Sequence, residues 1–280
     1  MEPATIAQRI ADIAGSQWGM VTTAQARVHG VARANIAHRV RTGELQRTEH
    51  YGVYRLATAA SSNLDDLRAA WLSTNPGQLA RERTGRPMCD AVVASAAAAL
   101  VHGIGDVYPS PYSIIVSSRR QSTRDSITYS WRHLESRDVE IVDGLPVTTR
   151  ERTIVDLLRD EGDISIAADA LRDAVRDHAD LDEARFAELL MPHAERLGQA
   201  RGDGLSALAY LKVTAEVDVA SEAATALDRL LEANVLAAST DPVLRNFAKE
   251  LPGLAAALRA SPNAPSGYGR QLWPPGATGD

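Results

Sequence analysis

The sequence predicts an α+β fold with a small helix-and-hairpin module at the N-terminus, a mixed α/β domain after it, and a helical C-terminal part. Three observations carry this. Helix, capped helix, glycine turn, basic helix and basic hairpin signals follow one another inside the first 56 residues. Between 113 and 149, short β-branched or alternating stretches are punctuated by turn residues. From Asp163 onward, apolar residues recur at helical spacing. The corresponding domain boundaries are 1–57, 58–160 and 161–260, with a tail at 261–280.

In the first module, Ile6, Ile10, Ile13 and Ala14 form one apolar stripe, and Gly15 and Gly19 bracket the helix end. Thr22-Thr23-Ala24-Gln25 then places a hydroxyl three residues before a glutamine, the pattern that satisfies the orphan amides of a helix start. The spacing predicts a short helix over 23–29. Gly30 supplies the left-handed backbone of a tight turn, and Val31, Ala32, Ile36 and Val40 give the core face of a third helix. Gly43 closes that helix, and 44–48 and 52–56 read as two strands joined through Glu49-His50-Tyr51. This order is that of a winged helix-turn-helix, with the hairpin as its wing.

On a wheel centred on Ile36 and Val40, the outward arc holds Ala34, Asn35, Ala37, His38, Arg41 and Thr42, flanked by Arg33 and Arg39. That chemistry suits a DNA groove, because Arg pairs bidentately with guanine, Asn with adenine, and Ala admits a thymine methyl. Thr22 and Thr23 at the start of the second helix, and Arg47, Tyr51 and Arg55 on the wing, are candidates for backbone phosphates. Charge agrees with the assignment. Residues 1–56 hold seven arginines against four acids, while the other 224 residues carry 23 basic and 32 acidic groups, so the net charge of −6 conceals a basic N-terminal end.

In the second region, 64–72 reads as an amphipathic helix, 76–87 as a polar basic loop and 91–102 as an alanine-rich buried helix. Segments 113–117, 126–132 and 139–142 have strand character, and Asp143-Gly144 predicts a hairpin turn before 145–149. A helix follows over 151–159. Arg119, Arg120 and Arg124 cluster in a loop between strands, Trp71 and Trp131 suit core or interface packing, and His102 suits a helix end bonding terminal carbonyls.

Further helices are expected over 164–179, 181–190, 205–212, 221–238 and 242–260, with Asp180, Ser221 and Asp241 as caps. Asp169, Asp173, Asp177, Asp182, Glu183 and Glu188 make the earlier ones acidic, a surface suited to a basic partner or simply to solubility. The tail holds four prolines among Gly, Ser and Asn and reads as disordered.

Composition narrows the function classes. With 45% apolar but 5% aromatic residues, the cores must be built of Ala, Leu, Val and Ile. A single cysteine, Cys89, allows no internal disulfide or paired-thiolate zinc site, and reads as a buried small hydrophobe. The longest uncharged apolar stretch, 91–101, is too short to span a bilayer, and 1–14 lacks the basic start and apolar core of a secretory signal. These readings imply a cytoplasmic protein with no membrane partner. Phosphate-loop, dinucleotide, zinc-protease and nucleophile-elbow motifs are absent, and the histidines show no metal-ligand spacing. Neither Lys212 nor Lys249 has a glutamate two residues before it, as a metal-dependent nuclease strand requires. The expectation is therefore no enzyme, no cofactor and no metal.

The segments Met20-Val-Thr-Thr-Ala-Gln-Ala, His29-Gly-Val-Ala-Arg-Ala-Asn-Ile, Arg41-Thr-Gly-Glu-Leu-Gln-Arg and Tyr51-Gly-Val-Tyr-Arg-Leu56 resemble the N-terminal winged helix of AbiEi-type antitoxins. These belong to the abortive-infection toxin-antitoxin systems classed as type IV. Ala91-Val-Val-Ala-Ser, His102-Gly-Ile-Gly-Asp-Val107 and Val142-Asp-Gly-Leu-Pro-Val-Thr-Thr-Arg-Glu-Arg-Thr-Ile-Val-Asp-Leu-Leu158 extend the resemblance to about residue 178. The resemblance implies a transcriptional autorepressor. Its first domain would bind inverted repeats in double-stranded DNA of its own promoter, and its mixed α/β antitoxin domain would neutralise a nucleotidyltransferase toxin of the AbiEii type encoded beside it. Two departures stand out. Ala96 follows Ser95 where a histidine is usual, and Ala32 stands where a serine often caps the recognition helix, leaving its amides free for a phosphate. The other function class open to these residues is a winged-helix regulator that senses a ligand or protein and has no toxin.

Overall fold

The computed structural model describes residues 5–85, 89–118, 124–177 and 180–217, with Lys249 and Pro252. The chain divides into two units, Met1–Leu211 and Lys212–Asp280. In the second unit the described residues are 212–217 and the two helical residues Lys249 and Pro252. The helix expected over 221–238, the tail at 261–280, and Arg119 and Arg120 lie outside the described residues, as does the helix expected over 242–260 except for Lys249 and Pro252.

The first unit opens with α1 (Ile6–Gly15), β1 (Met20–Thr22), α2 (Thr23–Val28), α3 (Arg33–Arg41), β2 (Leu45–Arg47) and β3 (Val53–Leu56). Thr5 caps α1 by accepting the Gln8 amide. Thr22 caps α2 in the reciprocal box that the sequence predicts, its hydroxyl accepting the Gln25 amide while the Gln25 carboxamide accepts the Thr22 amide. Gly30 holds φ at +75° between α2 and α3. The three strands form an antiparallel sheet in the order β1-β3-β2, with Met20 opposite Arg55 and Leu45 opposite Leu56. Ile10, Ile13, Val21, Ala26, Val31, Ile36 and Leu45 close a core between helices and sheet. Ala32, expected on the core face, is instead the exposed residue before α3 and contributes no side-chain cap.

A five-stranded mixed sheet follows, in the order β6-β5-β4-β8-β7. Its members are β4 (Ala91–Val93), β5 (Tyr112–Val116), β6 (Ile127–Trp131), β7 (Val139–Val142) and β8 (Leu145–Thr148). The β4–β8 and β5–β6 pairs are parallel, whereas β4–β5 and β7–β8 are antiparallel. Asp143 (φ +49°) and Gly144 (φ +80°) make the β7–β8 turn, both left-handed as a two-residue hairpin requires. The helices are α4 (Asp65–Thr74), α5 (Ala80–Thr84), α6 (Ser95–His102), α7 (Arg150–Asp160), α8 (Ile164–Arg176), α9 (Glu183–Leu190) and α10 (Gly204–Thr214). Leu67, Trp71, Leu72, Val93, Ala97, Ile114, Val116, Leu145 and Val147 belong to one core. Outside it, α7 packs against α6, α8 and α9.

Three local readings change. Segment 76–87 contains α5, because Arg83 turns inward to donate to Asp90, the Trp71 carbonyl and Thr74, with its guanidinium 3.6 Å from the Trp71 ring centroid. Segment 91–102 is a strand followed by a helix. Ala91, Val92 and Val93 pair with β5 and Val93 also pairs with Val147 of β8, so the strand lies in the middle of the sheet, where a strand buried on both faces reads as a plain apolar run. The cap of α9 is Asp182, which accepts the Arg185 amide, two residues beyond the expected Asp180.

Two side chains also differ from expectation. His102 Nε2 donates to the Thr148 carbonyl at 2.7 Å, so the ring ties α6 to β8 rather than bonding its own helix end, and burial holds its pKa low. Cys89 is half-buried against the Val92, Ala94, Ile115 and Leu134 cluster, and burial pushes its thiol up. Trp71 is a core residue as expected, donating to the Ala91 carbonyl at 2.9 Å, while Trp131 stands 70% exposed on the edge strand β6.

Candidate nucleic-acid interface

Ile36 is the buried anchor of α3, with Val40 packed beside it. Helical geometry then fixes the opposite arc: Arg33, Ala34, Ala37, His38 and Arg41 are exposed, and Asn35 is half-buried at its margin. Tyr51 projects from the β2–β3 turn with 81% exposure, and its hydroxyl accepts from Arg33 Nη2 at 3.3 Å. This bond joins the start of α3 to the tip of the hairpin. Arg47, at the end of β2, is also exposed. Arg33, His38, Arg41, Arg47 and Tyr51 are thus presented by one exposed helix arc and the adjoining hairpin.

Other candidates are committed elsewhere. Thr22 is fully buried; besides capping α2, its hydroxyl donates to the Pro76 carbonyl, so it has no surface to offer. Thr23 is half-buried, with its hydroxyl 3.4 Å from the Gly52 carbonyl. Arg39 lies 3.4 Å from Glu44. Arg55 donates to the Ala59 carbonyl at 2.7 Å and to Gln46 at 3.0 Å, with Asp65 at 3.9 Å, and so fastens the hairpin to the segment after it. Charge type and spacing place these residues on the face; the structure adds that Thr23, Arg39 and Arg55 are partly buried and have partners within the chain.

Ion pairing separates the two ends of the first unit. Arg9, Arg27, Arg33, Arg41, Arg47 and Arg81 have no carboxylate partner among the described residues. Between 124 and 211, by contrast, Arg132, Arg137, Arg150, Arg152, Arg159, Arg172, Arg176 and Arg185 face acids within 4 Å, and Arg196 and Arg201 have no carboxylate partner among the described residues. The acidic helices are neutralised in the same way: Asp169 meets Arg172 at 2.6 Å, Asp173 meets Arg176 at 2.8 Å, and Glu188 meets Arg137 and Arg185 at 2.9 Å. Asp182 is spent on its cap. A free guanidinium is held ready for an external anion, whereas a paired one has its charge already balanced. Among the described residues, no cluster of His, Cys, Asp or Glu is arranged to hold a metal ion, and no helix is long and apolar enough to cross a membrane.

The geometry defines a class: a small three-helix, three-stranded module that presents uncompensated arginines on one helix and an adjacent hairpin. Residues 8–57 match the model of a family described as transcriptional regulator, AbiEi antitoxin. The resemblance carried by Met20 to Leu56 falls inside this match, which takes in α1 through β3. No curated protein matches the chain.

Proposed function

We propose that the chain is a DNA-binding antitoxin of a toxin-antitoxin system, acting in the cytoplasm. In this reading the first module is a winged helix-turn-helix that represses the chain's own operon by binding inverted repeats in its promoter. The observation that carries it is the free arginine face of α3 and the hairpin, within the residues similar to AbiEi antitoxin regulators.

Arg33 at the first turn of α3 and Arg41 at its last turn bracket Asn35 and His38 along a major groove. Arginine and asparagine supply bidentate contacts worth about 1–3 kcal/mol of discrimination each. Arg47 and Tyr51 hold phosphates from the wing, and the Arg33–Tyr51 bond sets the wing's angle to the helix. The remainder of the chain counters a nucleotidyltransferase toxin encoded nearby, as the resemblance of 91–158 implies.

Gel-shift titration against the chain's own upstream DNA tests the first half. Arg33→Ala with Arg41→Ala abolishes specific binding; unchanged binding in the double variant would remove this face from the interface. Co-purification with the product of the neighbouring gene tests the second half, and a neighbourhood without a nucleotidyltransferase frame would rule out the toxin partner.

A further inference from the structure

We infer that the DNA interface extends beyond the winged helix onto α5, where Arg81, with Arg9 of α1 across a shared cleft, forms a second clamp for the DNA phosphate backbone. The inference rests on the DNA-binding reading above and adds a surface to it.

A cleft of about 260 Å³ opens between α1, the end of α2 and α5. Arg9, His29 and Arg81 line it with the buried apolar side chains Ile13 and Leu79, and Asp12 is the acid among its lining residues. Asp12 accepts from Gln8 Nε2 at 2.9 Å and pairs with neither arginine. The two guanidinium groups therefore outweigh one carboxylate in a recess with apolar walls, which favours an anion entering from solvent.

The cleft adjoins the turn that leads into α3. Arg9 Nη1 donates to the His29 carbonyl at 3.4 Å, and a β-carbon on Gly30 would lie only 2.9 Å from the same nitrogen. Arg9 is thus seated against the residues that direct Arg33 and the rest of α3 outward.

Arg81 is carried rigidly with this module. The Ala80 amide donates to Gln17 Oε1 at 3.1 Å, the Gln25 carboxamide donates to the Gln78 carbonyl at 2.7 Å, and Thr22 donates to the Pro76 carbonyl. Side chains of the first module thus pin 76–80 directly before Arg81. On the other side, Arg83 is buried and bound to Asp90. Of two arginines two positions apart on α5, one locks the helix to the core and the other faces solvent with no carboxylate partner among the described residues.

Salt-dependent binding of the full chain to its own upstream DNA tests the clamp. Each phosphate contact adds about 0.9 to the slope of log K against log salt. Arg81→Ala should weaken binding several-fold at low salt and reduce the slope by about 0.9, with Arg9→Ala doing the same. Arg81→Glu should weaken it further, and Arg81→Lys should restore most of the loss. Arg201→Ala, an exposed arginine outside the cleft, should leave both quantities unchanged. Matching thermal midpoints for the Arg81 variants keep a folding defect from being read as lost binding. If the wild-type chain binds and Arg81→Ala matches it in affinity and slope, the clamp is refuted while the winged-helix reading stands. A wild-type chain that binds no DNA refutes both.

Discussion

The indole N–H of Trp18 donates to the Asp143 carbonyl at 2.8 Å, joining residues 125 positions apart. Trp18 belongs to the turn after α1 and Asp143 to the hairpin of the larger sheet, so this bond ties the basic module to the five-stranded sheet. The indole stands edge-on to Trp71 with centroids 6.1 Å apart, and the Arg68 guanidinium lies 5.4 Å from its ring. Arg68 also reaches Asp143 at 3.9 Å.

Gly144 is the position that tests this joint. Its φ of +80° disfavours any side chain, and an added β-carbon would sit 3.1 Å from Trp18 Cζ2. Gly144→Ala should lower stability by more than about 1 kcal/mol, combining backbone strain with displacement of the indole. Trp18→Phe keeps most of the packing and loses the hydrogen bond, and should cost about 1 kcal/mol. Thermal unfolding measures both, and a Gly144→Ala protein that melts with the wild type would show that the indole does not pack on the turn.

Gln25 is the second joint. It is fully buried, and its carboxamide accepts from the Thr22 amide at 2.9 Å and from Gln17 Nε2 at 2.7 Å while donating to Gln17 and to the Gln78 carbonyl. Gln25→Ala removes the capping box and strands several polar groups of the interior together, each costing about 1–3 kcal/mol when left unsatisfied. The expected loss is therefore at least about 3 kcal/mol, read as a fall in denaturant midpoint. Gln25→Glu should also destabilise, since a carboxylate cannot donate to the Gln78 carbonyl. A neutral Gln25→Ala variant would mean that water replaces the network.

How far such features were legible in the sequence depends on how local they are. The Thr22–Gln25 box, the Gly30 turn and the Asp143-Gly144 hairpin were readable because their partners lie within three residues of one another. Strand β4 was not, because three apolar residues before an alanine-rich helix look helical unless the flanking strands are known. Gln25 could be read as a helix cap, but its bond to Gln78 spans 53 residues and nothing in the pattern announces it. The candidate interface shows the same division. The exposure of Arg33, His38 and Arg41 follows from helical periodicity, whereas the binding of Arg39 to Glu44 and of Arg55 to Ala59 and Gln46 depends on how the hairpin folds back and leaves no local pattern.

Asp156 gives a pH-dependent test of the helical part. Its carboxylate lies 2.7 Å from Arg159, 3.1 Å from Arg152 and 3.6 Å from Arg132, and one of its oxygens is buried without a hydrogen-bond partner. Burial outweighs the arginines and pushes the carboxyl up from 3.8 to about 6. Because the folded value lies above the unfolded one, the native state holds the proton more tightly. The contribution of this group to stability is therefore full below 3.8 and is lost as the pH rises through about 6. Asp156→Asn removes the titration, so the difference in denaturant midpoint between wild type and variant should change across that window and level off above it. Carboxyls with lowered pKa, such as Asp163 and Asp203, whose side chains accept backbone amides, titrate in both proteins and cancel from the difference. A difference that stays constant across the window would show that the three arginines keep Asp156 charged throughout.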